Sequence, residues 1–187
     1  DDFSFYYVQL APHHYKPLSP VIAKRKGFTG PFLAHFWEAQ AAAMDLIPKS
    51  GMAVINDIGN LEDIHPTNKK DVGERLARWA LAKDYGRDEL VYSGPVFKAL
   101  EVRGDTAVLR FDHVAGGLKT MDGEPLRCFT VAGEDKVFHP ATATIDGDNV
   151  VVKSEKVAAP VAVRMGWEED ALPNLGNAEG LPASAFR

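Results

Sequence analysis

The sequence predicts two successive parts, an α/β unit followed by an all-β, sandwich-like domain. Two observations support this prediction. Before Gly86, apolar runs typical of buried strands alternate with segments of helical periodicity. After Gly86, short strand-like runs recur between turn residues, without a clear helical pattern. We place the boundary after residue 88, so the predicted domains are 1–88 and 89–187.

The first part follows the order strand, helix, strand, helix. Residues 3–10 are aromatic and β-branched, and residues 52–55 are four apolar residues that follow a glycine. Strands joined in this way are expected to be parallel, and two are too few for a stable sheet, so the rest of the sheet is expected from elsewhere. The helix between them spans 31–47, after an exposed basic loop at 17–31. Its predicted buried face comprises Phe32, Phe36, Ala39, Ala43 and Ile47.

The second helix has clear signals at both ends. Asn68 is a suitable N-cap with Asp71 as its capping-box partner, and Gly86 is expected to stop the helix. Trp37 and Trp79 occupy helical positions and are predicted to be core residues rather than platforms for sugar stacking. The apolar positions of this helix are Val72, Leu76, Trp79 and Ala80.

The second part is predicted to be built from short strands and hairpins. The tail from Trp167 has little periodicity and is expected to be irregular and to pack back onto the protein. Gly133–Lys136 is predicted to be a solvated turn rather than a sugar or cation site, and Ser184 lacks the strand-to-helix turn of an activated nucleophile. The predicted strands are Val96–Val102, Thr106–Phe111, Arg127–Val131, Ala141–Ile145, Asn149–Lys153 and Val161–Met165. Their turn signals include Arg103-Gly104-Asp105 and Asp146-Gly147-Asp148.

Composition excludes several classes of function. The 187 residues carry a net charge of −5, which disfavours nucleic acid and anionic membranes as partners. No apolar run approaches the roughly 20 residues of a membrane span. The single cysteine, Cys128, cannot form a disulfide within the chain, and no cofactor or metal is predicted. The chain begins at Asp1 without Met or a signal peptide, so we expect it to be a processed or cut piece of a longer protein.

The best chemical lead is a histidine between the second strand and the second helix. His65 would lie at the rim where open α/β sheets place their ligands, and Glu62 and Asp63 precede it closely enough to orient its ring. His13 and His14 are adjacent, but neighbouring side chains in extended chain point apart and no third ligand is apparent. A metal site is therefore not predicted there.

These residues resemble a known family of enzymes. The chain around His65 resembles the last catalytic block of the SGNH hydrolases and, more narrowly, the sialate O-acetylesterase family. The resemblance covers nearly the whole chain in the same order. Its motifs include Val8-Gln9-Leu10-Ala11-Pro12, Trp37-Glu38-Ala39-Gln40, Asp57-Ile58-Gly59, Asp63-Ile64-His65-Pro66, Ser93-Gly94-Pro95, Phe111-Asp112-His113, Pro160-Val161-Ala162-Val163-Arg164 and Gly180-Leu181-Pro182-Ala183-Ser184.

The resemblance implies a serine carbohydrate O-acetylesterase with a flavodoxin-like, three-layer SGNH domain. The family's nucleophile lies in a Gly-Gln-Ser-Asn-Met segment, which does not occur here. This chain would therefore supply the catalytic His65 and a second chain would supply the serine. We expect Asp63 to be the orienting acid with Glu62 as the alternative, and Asp57 to hold the loop.

The predicted function is thus removal of acetyl esters from a sugar or polysaccharide, either acetylated sialic acid or plant polysaccharide. The resemblance implies a secreted, periplasmic or lumenal location. The rival hypothesis is a non-catalytic module whose β-domain binds glycan or has a structural role. The two differ in whether a polypeptide with the serine segment accompanies this chain.

Overall fold

The computed structural model describes residues 3–15 and 32–187, and within these it contains two helices and eleven strands. The segment 17–31, predicted to be an exposed basic loop, lies outside the described residues. The helices are α1 (Phe32–Leu46) and α2 (Lys69–Lys83). The strands are β1 (Phe5–Val8), β2 (Ser50–Ala53), β3 (Val96–Arg103), β4 (Thr106–Asp112), β5 (Leu118–Thr120), β6 (Phe129–Ala132), β7 (His139–Pro140), β8 (Thr142–Asp146), β9 (Asn149–Lys153), β10 (Ala162–Met165) and β11 (Leu175–Asn177).

The chain divides into two compact units. Unit 1 comprises Asp1–Tyr92 together with Trp167–Ala171, and unit 2 comprises Ser93–Gly166 together with Leu172–Arg187. Both helices belong to unit 1, whereas nine of the eleven strands lie in unit 2, so the described residues are rich in β-structure. The candidate active-site residues all lie in unit 1.

The described part of unit 1 contains a two-stranded sheet with a helix on each face. β1 and β2 pair in parallel, as the order of elements predicted. The Tyr6 ring lies 6.2 Å from the Trp79 ring of α2, whereas the Tyr7 hydroxyl donates to the Gln40 carbonyl of α1. Because consecutive side chains of a strand point to opposite faces, α1 and α2 cover opposite faces of the sheet. The described part of unit 1 therefore has three layers.

The buried face of α1 differs from the predicted one. Phe36 and Ile47, which we expected to be buried, are each 42% exposed, whereas Leu33, Ala34 and Trp37 are fully buried. The sequence of α1 is apolar around most of its circumference, so spacing alone did not distinguish the face that packs on the sheet. Trp37 is a core residue as predicted, and its indole Nε1 donates to the Leu10 carbonyl at 2.6 Å.

The ends of α2 follow the predicted signals. The Asn68 side chain accepts from the Asp71 backbone N–H at 3.2 Å and donates to the Asp71 carboxylate at 2.8 Å. These two bonds confirm the predicted capping pair. The helix ends at Lys83, and Gly86 then adopts a φ of +68°, which lets the Arg87 N–H return to the Leu81 carbonyl at 3.0 Å.

A nearly buried ion pair fixes α2 to the chain that follows β2. Arg75 makes two parallel bonds of 2.6 Å to Asp57, and its Nη1 also donates to the Val54 carbonyl at 2.7 Å. The two side chains are only 9% and 14% exposed. Arg75 can occupy a position on the inner side of α2 because its guanidinium is paired there with the Asp57 carboxylate and the Val54 carbonyl.

We expect Arg75→Met to destabilise the fold by about 3–5 kcal/mol, because it leaves the Asp57 carboxylate largely buried and unpaired. Urea unfolding followed by circular dichroism measures this change. Lys70→Ala is the control, since Lys70 forms only an exposed pair with Glu74 and its loss should cost about 0.5 kcal/mol or less. If Arg75→Met were as mild as the control, the pair would have no structural role.

Unit 2 contains the predicted hairpins and two larger sheets. The four-stranded sheet has the order β3-β4-β9-β8 and is antiparallel throughout. Gly104 and Gly147 lie in its two hairpin turns with φ of +63° and +58°, which confirms both predicted turns. The other sheets are β10-β6-β7 and β11-β5. The strands β5, β7 and β11 were not predicted; each has only two or three residues.

A single hydrophobic core is shared by the two larger sheets and the C-terminal tail. Leu109 and Val150 come from one sheet, and Val131 and Met165 from the other. Phe186 of the tail stacks on Phe97 with ring centroids 4.5 Å apart. The tail packs back as predicted, but it is not wholly irregular, because it contributes β11.

Asp122 of unit 2 accepts bonds from Asn174 Nδ2 at 2.8 Å, from Arg127 and from the Glu124 N–H at 3.1 Å. These donors, Asn174 first, lower the pKa of Asp122 from its ordinary value of 3.8 to about 2. Because the folded pKa is the lower one, Asp122 stabilises the fold above about pH 4. This stabilisation is lost as pH falls from about 4 towards 2.

Asp122→Asn is therefore expected to lower the melting temperature at pH 7, and the difference from the parent should shrink as pH falls through this window. Differential scanning fluorimetry at a series of pH values tests it. Asp148→Asn, in the exposed β8–β9 turn, controls for loss of charge alone. A difference that stays constant down to pH 2 would contradict the role of the Asp122 carboxylate.

Candidate active site

Two loops meet at the carboxyl ends of β1 and β2. The β1 loop is residues 9–15 and the β2 loop is residues 54–68; they are neighbours because the strands are parallel and adjacent. The His14 N–H donates to the Leu61 carbonyl at 3.3 Å. A Cβ at Gly59 would lie 2.4 Å from Pro12 Cγ, so glycine is required where the loops touch. The close contact fixes the β2 loop against the β1 loop.

Asn60 shapes the part of the β2 loop that bears the predicted site. Its side-chain Oδ1 accepts from the Glu62 N–H at 2.9 Å and from the Asp63 N–H at 3.3 Å. This is an Asx turn, in which an Asn side chain takes the place of a backbone carbonyl. Asn60 therefore sets where the Asp63 backbone lies.

Asp63 and His65 are brought together. Asp63 Oδ1 accepts from the His65 N–H at 2.9 Å and lies 3.3 Å from ring Nδ1. The backbone bond first, and then the ring, hold the pKa of Asp63 below its usual value, so it is a carboxylate at neutral pH. The His65 side chain is 85% exposed. With Asp63 at Nδ1, ring Nε2 is the nitrogen left for exchanging a proton with a substrate or nucleophile.

The other two carboxylates have different contacts. Glu62 Oε1 lies 3.3 Å from His14 Nε2, on the β1 loop, rather than beside His65. Asp57 is held by Arg75 below the loop. The geometry thus places Asp63 beside His65 Nδ1, Glu62 beside His14, and Asp57 in an ion pair with Arg75.

Sequence reasoning did not single out Asn60, and it considered His13 only as part of a possible metal site. His13 is 6% exposed and its Nδ1 lies 3.3 Å from the Asn60 carbonyl. An Asn two to three residues before an acidic pair is a signal for an Asx turn and would have pointed to Asn60. Among the described residues, no group of three or more His, Cys, Asp or Glu side chains is placed to hold a metal ion.

The comparisons with known proteins bear on this geometry. A solved structure of a carbohydrate acetylesterase from Xanthomonas citri is 47% identical and matches 98% of this chain with a TM-score of 0.85. The chain is similar to a carbohydrate acetylesterase. It spans 40% of the length of that acetylesterase. No family model and no curated protein matches the chain.

Two surface grooves of unit 2 concern the rival hypothesis of a binding module. Unit 2 has an open surface groove of about 670 Å³ beside β8 and β9 and a second of about 360 Å³ beside the Gly133–Lys136 turn. Among the described residues, neither groove is lined by an aromatic side chain of the kind on which sugars stack.

Neither helix of the described chain is long and apolar enough to span a bilayer.

Proposed function

We propose that these 187 residues belong to a carbohydrate O-acetylesterase of the SGNH type, within the sialate O-acetylesterase family, and provide its catalytic histidine. Residues 1–88 are the catalytic portion and residues 89–187 the β-rich portion. The observation that supports this most strongly is the match to the carbohydrate acetylesterase, at 47% identity over 98% of the chain. The contact between Asp63 and His65 supports it independently.

The proposed chemistry begins with proton transfer to His65. A serine Oγ attacks the acetyl carbonyl carbon while its proton passes to His65 Nε2. Asp63, at Nδ1, stabilises the imidazolium that forms. His65 then gives the proton to the departing sugar oxygen as the tetrahedral intermediate collapses to an acetyl-enzyme. Water deacetylates the serine by the same route, with His65 as general base, and acetate leaves.

The serine is proposed to come from a portion of the enzyme outside these residues. The family's Gly-Gln-Ser-Asn-Met segment does not occur in the sequence, and the chain spans 40% of the Xanthomonas acetylesterase. Apolar exposure in unit 1 supports the same proposal: Phe3 is 74%, Phe5 50% and Leu46 80% exposed. A further part of the sheet would cover such side chains.

The substrate is proposed to be an acetylated sugar, and the enzyme to be secreted, periplasmic or lumenal, where such sugars occur. Acetylated sialic acid and acetylated plant polysaccharide share the ester that this chemistry cleaves. They differ in the charge and shape of the sugar, so the assay must include both.

The test is release of acetate from both substrates by the complete enzyme and by the isolated 187 residues. We expect the complete enzyme to release acetate from one substrate class and the isolated chain to release none, because it lacks the nucleophile. A complete enzyme that is folded and inactive on both would contradict the esterase proposal. A folded, active isolated chain would contradict the proposal that the serine lies elsewhere.

A further inference from the structure

His13 is a buried imidazole of unit 1. It is 6% exposed, lies in the β1 loop, and its ring meets the Tyr15 ring edge-on at 5.2 Å. The Tyr15 hydroxyl donates in turn to the Ala11 carbonyl at 2.9 Å. These contacts fix the orientation of the imidazole, so the atom that it presents to the β2 loop is defined.

That atom is Nδ1, which lies 3.3 Å from the Asn60 carbonyl. A carbonyl oxygen only accepts, so the bond requires the tautomer in which His13 Nδ1 bears the proton. A donor on a buried ring thereby holds the backbone of Asn60. The His14 N–H, which donates to the Leu61 carbonyl at 3.3 Å, holds the next residue of the β2 loop.

From Asn60 the hydrogen bonds continue towards His65. The Asn60 side chain accepts from the Asp63 N–H at 3.3 Å, and the Asp63 carboxylate accepts from the His65 N–H at 2.9 Å. The same carboxylate faces His65 Nδ1. His13, Asn60, Asp63 and His65 thus form a continuous series of hydrogen bonds. It connects the buried His13 to the exposed His65. His65 and Asp63 are both exposed, so little packing fixes them, and these bonds largely determine their position.

We propose that His13 is a positioning residue for the acetylesterase reaction. Through Asn60 it sets the place of Asp63, and hence the orientation of the His65 ring, without itself contacting substrate. The expected effect of His13 on the rate of the reaction rests on the proposed function. The structural consequence, that His13 orders residues 60–65, does not depend on that function.

The experiment compares His13→Leu with His13→Asn in the complete enzyme. Leucine fills the buried space but has no donor, whereas the Asn amide nitrogen occupies nearly the position of His Nδ1. We expect His13→Leu to lower kcat roughly 10- to 100-fold with KM little changed, because small displacements of catalytic groups have effects of this size. His13→Asn should recover most of the lost rate.

A second measurement is independent of activity. Hydrogen–deuterium exchange of the peptide spanning residues 60–66 should accelerate in His13→Leu and return towards the parent rate in His13→Asn. Unchanged kcat and exchange in His13→Leu would overturn the inference. Equal losses in both variants would also overturn it, because His13 would then be required only for packing. A parent enzyme without esterase activity would refute the proposed function, while the exchange result would still decide the role of His13.

Discussion

His65→Ala in the complete enzyme is expected to remain folded and to lose most of its turnover. The side chain is 85% exposed, so its removal leaves no cavity and should change stability little. The proposed chemistry uses Nε2 in both half-reactions: it takes the serine proton and gives it to the sugar oxygen, and it then takes a proton from water and returns it to the serine. General acid–base catalysis is worth roughly 10²–10⁴-fold, and a base that also activates a nucleophile contributes more. Acetate release under saturating substrate measures kcat, and circular dichroism checks the fold.

The control is His139→Ala, which removes a half-buried imidazole from β7 of unit 2. It should leave kcat unchanged. A folded His65→Ala enzyme with the parent rate would exclude His65 from the mechanism, whatever the resemblance of its neighbours to the sialate O-acetylesterases. It would also remove the kinetic part of the argument for His13.

Asp63→Asn has the second-largest expected effect. An Asn side chain can still accept from the His65 backbone N–H, so the local turn is retained. The negative charge beside His65 Nδ1 is lost, however. The Asn amide can also donate to Nδ1, which stabilises the tautomer with the proton on Nε2, and that tautomer cannot take the serine proton. The corresponding change in serine proteases lowers kcat on the order of 10⁴-fold, and we expect roughly 10²-fold or more here.

Glu62→Gln is the matched control, because it removes a neighbouring carboxylate that contacts His14 instead of His65. It should change kcat little. If Glu62→Gln were the damaging substitution and Asp63→Asn the mild one, Glu62 would be the orienting acid in the assembled enzyme. Two mild substitutions would mean that neither carboxylate assists His65.

The capping pair of α2 and the hairpins of unit 2 were predictable because their causes are local. Asn68 and Asp71 are three residues apart, and Gly104 and Gly147 lie in two-residue turns. The pairing of Asp63 with His65 is also local, because the two residues are two positions apart. Over such distances the covalent chain itself limits the geometry, and the identity of the residues selects among few conformations.

Contacts between distant residues were decided only by the tertiary structure. The inner face of α1 was wrongly predicted, since an apolar helix has no preferred side until the sheet is in place beside it. Trp167 lies in unit 1, where its ring meets that of His35 at 5.7 Å, although 132 positions of sequence separate them.

The same division holds within the candidate site. The sequence alone determined that Asp63 and His65 lie close together before α2, because the two residues are only two positions apart in the chain. Only the tertiary structure directed Glu62 to His14 and His13 to the Asn60 carbonyl, across 48 and 47 positions of sequence. The physical reason is that parallel strands bring the loops at their carboxyl ends together, and no local pattern records which side chains then meet.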